Sequence, residues 1–176
     1  EGRKIIIVGD HGHDEVVGIA SQVNNPIIVA SPKEAKALKK TKRAGVVSQS
    51  TQTIENVQEI INIIMTKVFD LRFVNTICFP TKRNQTQIKE LAKQCDVMVV
   101  IGSFSSANSK RLTALAKDRN KNSYQVTCAE EIEPKWLEGV ETVGVSAGAS
   151  TPDNIIHDVI IKIKEIGEVT KEIVYG

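Results

Sequence analysis

The sequence predicts an α/β protein, arranged as two similar small three-layer domains on mostly parallel sheets. Three observations predict it. Short runs rich in Ile and Val are continuous rather than alternating, as strands buried on both faces require. Amphipathic stretches with apolar residues at helical spacing lie between them. The two kinds of segment alternate along the chain, which is the pattern of right-handed strand–helix–strand units.

The elements follow in order. Ile5-Ile6-Ile7-Val8, Ile27-Ile28-Val29 and Gly45-Val46-Val47 read as buried strands. Ile54, Val57, Ile60, Ile61, Ile64, Met65 and Val68 mark one helical stripe. Phe73-Val74 reads as a further strand, and Ile88, Leu91 and Ala92 indicate a helix over 82–94. Val97–Ile101 is the most apolar strand, and Leu112, Leu115 and Ala116 indicate a helix over 109–118. Tyr124–Val126 and Val143–Val145 close the set of strands. The last helix carries Ile155, Ile156, Val159, Ile160 and Ile163, with Thr151 expected as N-cap and Pro152 at the first helical position. No Pro/Gly/Ser-rich linker divides the chain. The expected domains are 1–74 and 75–176, each with roughly three strands and their helices.

Composition bounds the function. The 176 residues carry 23 Lys+Arg against 21 Asp+Glu, a formal charge of +2, too balanced for a nucleic-acid arm. A 41% hydrophobic content supports a packed core, and seven aromatics leave Ile and Val to fill it. No apolar run reaches the length of a membrane span. Three cysteines without a C-x-x-C pair fit a reducing compartment rather than a disulfide scaffold. The chain opens Glu1-Gly2-Arg3-Lys4 and enters a strand at once, with no signal peptide, which is expected of a piece of something longer.

In parallel sheets, ligands bind beyond the C-terminal ends of the strands. The segments there are Gly9-Asp10-His11-Gly12-His13-Asp14-Glu15, Ser48-Gln49-Ser50-Thr51, Asn75-Thr76-Ile77-Cys78, Gly102–Ser109 and Ser146–Pro152. Four of the five are crowded with Ser, Thr and Asn. One Ser or Thr before a helix is ordinarily a cap. Four such turns point to a phosphate or diphosphate held by hydroxyls and backbone N–H groups. Lys110 and Arg111 read as a solvated helix face. G-x-x-x-x-G-K-[ST] and G-x-G-x-x-G are both missing, which disfavours a nucleoside triphosphatase and a dinucleotide oxidoreductase.

His11 and His13 form an H-x-H pair without a third ligand nearby, a weak metal signal. Glu15 reads either as a tuned proton donor or as an acid at a helix N-terminus. Cys95 and Cys128 read as small core residues, and His157 as a structural helix residue. Cys78 lies at a strand end on the ligand edge. It is open to two roles, nucleophile or one ligand of a cluster completed elsewhere.

Taken together, Gly12-His13-Asp14-Glu15-Val16, Ser48-Gln49-Ser50-Thr51, Asn75-Thr76-Ile77-Cys78, Gly102-Ser103 with Ser106–Leu112, and Ser146–Asp153 resemble the 4-hydroxy-3-methylbut-2-enyl diphosphate reductases, the LytB family. The likeness runs over nearly all of 4–167. It implies the second and third of three α/β domains, with the N-terminal domain lying before the region seen here. It implies Cys78 as one of three cysteines ligating a 4Fe-4S iron–sulfur cluster. His13, Ser106, Asn108 and Ser150 are implied as diphosphate binders. Glu15 is implied as the acid relaying protons to the substrate hydroxyl, and Ser50 as the pocket residue beside it. The implied reaction is reductive dehydroxylation to isopentenyl and dimethylallyl diphosphate, the last step of the non-mevalonate isoprenoid pathway. Electrons would come from a donor such as ferredoxin or flavodoxin, in the cytoplasm or an organelle stroma, with no nucleic acid or membrane partner.

Several positions depart from the family pattern. Asp14 stands for Pro, Ser48 and Ser50 for Thr, Ser105 for Asn, and Arg83 falls one place early. The 176 residues alone are expected to hold no complete cluster and to be inactive. The alternative is a non-redox α/β module that binds a phosphorylated small molecule; Cys78 beside Glu15 weighs against it.

Overall fold

A computed structural model describes residues 2–166 and the backbone of 172–175. The elements are β1 (Lys4–Val8), α1 (Asp14–Ser21), β2 (Ile27–Val29), α2 (Pro32–Ala37), β3 (Thr41–Ser48), α3 (Ile54–Met65) and β4 (Val68–Phe73). Then come α4 (Phe79–Gln94), β5 (Val97–Ile101), α5 (Ala107–Arg119), β6 (Ser123–Val126), β7 (Thr142–Ala147), α6 (Asp153–Ile166) and β8 (Glu172–Tyr175). The chain divides into two compact units, Glu1–Phe79 and Pro80–Gly176.

Each unit holds a four-stranded parallel sheet, in the orders β2-β1-β3-β4 and β6-β5-β7-β8. The α/β class with parallel sheets is therefore what the molecule shows. Sidedness explains the apolar runs. In β5, Val97, Val99 and Ile101 face a core with Val143, Val145, Val159 and Ile163. Met98 and Val100 face the other side, against Ile88, Leu91, Leu112 and Ala116 of α4 and α5. A strand covered on both faces has no polar side, so it cannot alternate. In the first unit, Ile6, Val8, Ala44 and Val46 pack under Val57, Ile60 and Ile64 of α3. Ile7, of opposite parity, is equally buried.

Three details differ from expectation. Val68 continues the helical spacing of α3 but begins β4. The helix ends at Met65 without Gly or Pro; Thr66 Oγ1 donates to Ile63 O at 2.8 Å, and Lys67 N closes a tight last turn on Ile64 O at 2.9 Å. α6 begins at Asp153, and Pro152 O accepts its first bond from Ile156 N, so Pro152 takes the cap position assigned to Thr151. Thr151 Oγ1 instead donates to Ile101 O at 3.1 Å, fastening the turn to β5. Each sheet has four strands rather than about three, β8 supplying one that the sequence pattern did not reveal.

Candidate active site

In the first unit the strand-end turns meet through buried amides. A Cβ on Gly9 would lie 2.5 Å from Val16 Cγ2 and 3.2 Å from Gln49 Cβ, so glycine permits the approach there. Gln49 is fully buried. Its Oε1 accepts from Asp10 N at 3.0 Å and its Nε2 donates to Thr51 Oγ1 at 2.9 Å. Gln52 Nε2 donates to Asp10 Oδ1 at 3.4 Å, and Asn56 Nδ2 donates to Gln52 Oε1 at 3.0 Å. A buried amide left without partners is costly, so this network fixes the β1 and β3 turns against one another. Sequence reasoning missed these residues. The signal available was two glutamines, a strongly polar type, bracketing the Ser/Thr turn.

His13 is the N-cap of α1, and its Nδ1 accepts from Glu15 N at 3.2 Å. With Nδ1 as acceptor, the neutral ring carries its proton on Nε2, leaving that N–H available to an anion. Asp14 and Glu15 occupy the first turn, where the helix dipole favours negative charge. Glu15 Oε1 accepts from Ser50 N at 2.7 Å, and Oε2 accepts from Ser50 Oγ at 2.9 Å. Both oxygens of one carboxylate are thus held by one residue of the neighbouring turn. Ser50 O in turn accepts from Cys78 N at 3.0 Å. Ile77 is 3% exposed and anchors that last segment in the core, with Cys78 half-buried beside it. The structure brings Glu15, Ser50 and Cys78 into one connected chain of contacts, with His13 at its start.

His11 turns elsewhere. Its Nε2 lies 2.8 Å from Glu34 Oε2 of α2. The Ala30 N–H, and after it His11, hold the Glu34 carboxyl below the usual glutamate range. Among the described residues no group of three His, Cys, Asp or Glu could hold a metal ion. A cleft of about 360 Å³ lined by Ile5, Gly45, Val47, Arg72 and Val74 includes none of these turn residues.

In the second unit, Ser106 caps α5, its Oγ accepting from Ser109 N at 3.3 Å. The first turn of α5 holds no acid. Asn108 Oδ1 lies there buried without a hydrogen-bond partner, an orphan acceptor or, with the amide turned over, an orphan donor. Ser150 is exposed in the turn after β7. Ser109, 2% exposed, wedges between the two turns. Its Oγ would lie 2.3 Å from a Cβ on Gly102 and 2.6 Å from one on Gly148. Two glycines and one small hydroxyl residue therefore let the Ser106/Asn108 turn and the Ser150 turn close together. Cys95 is buried, and that burial pushes its thiol pKa up. Cys128 precedes a short 3-10 turn and is half-buried, and His157 is exposed on α6.

The fold and the turns define an α/β protein whose polar residues gather at strand ends, carboxylate and thiol in one unit and neutral donors in the other. The chain belongs to the LytB protein family, whose model matches residues 1–164. It is 46% identical over 166 residues to the 4-hydroxy-3-methylbut-2-enyl diphosphate reductase of Campylobacter lari, covering 94% of this chain and 60% of that protein. The corresponding protein of Geobacter sulfurreducens is 41% identical, with 94% and 59% covered. A solved structure of (E)-4-hydroxy-3-methyl-but-2-enyl diphosphate reductase, described as the terminal enzyme of the non-mevalonate pathway, matches with a TM-score of 0.55 at 38% identity. It covers 93% of this chain and 60% of that one. The Plasmodium falciparum reductase structure shares the fold at a TM-score of 0.90 and 23% identity, over 99% of this chain and 57% of its own. The chain thus spans about 60% of the length of the curated relatives it matches.

Proposed function

We propose that this chain supplies two of the three α/β domains of a 4-hydroxy-3-methylbut-2-enyl diphosphate reductase. The complete protein would convert that allylic alcohol, two electrons and two protons into isopentenyl or dimethylallyl diphosphate and water. The observation that carries this reading is the linked set Glu15, Ser50 and Cys78.

In this reading the Ser106 hydroxyl, the Asn108 amide and the Ser150 hydroxyl bind the diphosphate. The orphan polar atom of Asn108 supports that role, since a buried group lacking a protein partner is completed by a ligand. His13 donates from Nε2 to a diphosphate oxygen while its Nδ1 keeps α1 capped. Glu15, steadied by Ser50, takes a proton from solvent and delivers it to the departing hydroxyl. The Ser50 amide and hydroxyl fix the direction of that delivery.

The donor set fits a 4Fe-4S iron–sulfur cluster in part. Cys78 offers one thiolate at the strand edge, and the remaining cysteines would come from the N-terminal domain. The cluster, when bound, supplies the two electrons and a Lewis-acidic iron. An electron donor such as ferredoxin or flavodoxin would refill it, in the cytoplasm or a stroma. Among the described residues no helix is long and apolar enough to cross a membrane.

The test uses the full-length gene product reconstituted anaerobically with iron and sulfide. Cluster absorbance that Cys78→Ser abolishes, together with turnover that Glu15→Gln abolishes while substrate still binds, supports the reading. Diphosphate binding with no cluster and no reduction would instead favour the non-redox binding module.

A further inference from the structure

We propose that Thr76 is a positioning residue for Cys78, its side chain standing in for the sheet hydrogen bonds that β3 lacks at its end. β3 pairs with β4 in parallel as far as Val46 opposite Phe73, and Val74 N still donates to Val46 O at 2.9 Å. Beyond that point the chain leaves the sheet. Ser48, fully buried, would then have an N–H and a C=O facing an empty edge.

The Thr76 hydroxyl takes both. Oγ1 accepts from Ser48 N at 2.7 Å and donates its single proton to Ser48 O at 2.5 Å. Its second lone pair lies 3.2 Å from Ser48 Oγ, which therefore donates to it. One hydroxyl completes three polar groups of one residue. Two residues further on, Cys78 N donates to Ser50 O, so the segment is fastened to the end of β3 and to the turn that follows it. Asn75 Oδ1 accepts from Ile77 N at 3.2 Å and bends the chain between the two attachments. The thiol thereby stands at a fixed register relative to Ser50, and through Ser50 to Glu15.

Thr76 touches neither Glu15 nor Cys78 in the contacts described, so it acts through Ser48 and the intervening backbone. A hydroxyl is required; the Thr methyl is not. Thr76 is exposed, so exchanging it for valine opens no cavity and removes only the polar bonds. The consequence for cluster binding rests on the proposed role of Cys78, whereas the positioning itself does not.

The test is site-resolved alkylation of the full-length apo-protein with iodoacetamide, read by peptide mass spectrometry. Buried Cys95 serves as the internal control for unfolding of the second unit, and amide hydrogen exchange of α3 as that for the first, with faster exchange of α3 in Thr76→Val also overturning the proposal. Thr76→Val is expected to raise the alkylation rate of Cys78 about threefold or more through local opening. Cys95 stays protected, and Thr76→Ser keeps the parent rate. A Cys78 rate unchanged in Thr76→Val overturns the proposal. So does a Thr76→Ser variant that matches Thr76→Val, or a Cys95 rate that rises in parallel. Cluster absorbance after reconstitution separates the two claims. If alkylation responds as stated while Cys78→Ser retains a full cluster, the positioning role stands and the ligand role falls.

Discussion

Glu15 and Ser50, 35 residues apart, are joined twice: the Ser50 amide donates to one carboxylate oxygen and the Ser50 hydroxyl to the other. Two hydrogen bonds from one residue fix the direction of a carboxylate. Ser50→Ala removes one of the two bonds and keeps the amide. Turnover of the full-length protein in the proposed reduction is expected to fall about tenfold, with Ser50→Thr close to the parent. Steady-state kinetics on both variants decide it; equal loss in the two would show that the hydroxyl is not what matters.

His13 caps α1 and is proposed to hold the diphosphate, two roles that one substitution separates. Asparagine is a favoured N-cap, so His13→Asn should leave the melting temperature near the parent value while removing the ring N–H. Affinity for inorganic diphosphate is expected to drop about tenfold or more by calorimetric titration. His13→Ala should lose the affinity and, in addition, about 1 kcal/mol of stability.

Gly148 leaves room for Ser109. A Cβ there would stand 2.6 Å from Ser109 Oγ, so Gly148→Ala is expected to cost about 1–3 kcal/mol by overpacking. Removing the hydroxyl relieves the clash, so Gly148→Ala with Ser109→Ala should recover a large part of that loss. Denaturant unfolding of the two single variants and the pair measures the coupling. Strictly additive effects would show that the two side chains do not meet.

Asp96 sets an acid limit on the second unit. Its Oδ2 accepts from Thr142 N at 2.8 Å, Thr142 Oγ1 at 2.9 Å and Glu141 N at 3.0 Å, so β5 and β7 start together. These donors, the Thr142 backbone N–H foremost, hold its pKa below the ordinary aspartate range. A depressed carboxyl contributes stability that is present above its unfolded pKa and lost as pH falls through the folded one. Asp96→Asn should therefore be less stable than the parent near pH 7, and the gap should close as the pH falls below the ordinary aspartate range. A gap that stays constant with pH would exclude the carboxylate as its source.

The sheets were legible because a strand covered on both faces must be apolar throughout, as Val97–Ile101 is. The end of α3 was not, since Val68 satisfies the helical period and neither Gly nor Pro marks the stop at Thr66. α2 was hidden because only Ala35 of its six residues is buried. At the site, Ser, Asn and Glu at strand ends could be read directly. Which of them meet could not. The Ser48–Thr76 bonds span 28 residues, and Ser50–Glu15 spans 35, so both depend on strand order and register. Gln49 and Ser109 escaped notice for the same reason.

Both sheets place their first and third strands side by side at the centre, β1 with β3 and β5 with β7. The turns after those strands are neighbours whatever residues they contain. The arrangement works as a socket with exchangeable contents: in one copy a carboxylate answered by a serine, in the other hydroxyls and an amide around two glycines. Reassigning charge between the copies leaves the cores untouched, because the residues that differ stand outside the strands that pack. One scaffold thus carries two different polar sets, a carboxylate with its serine on one sheet and neutral groups on the other.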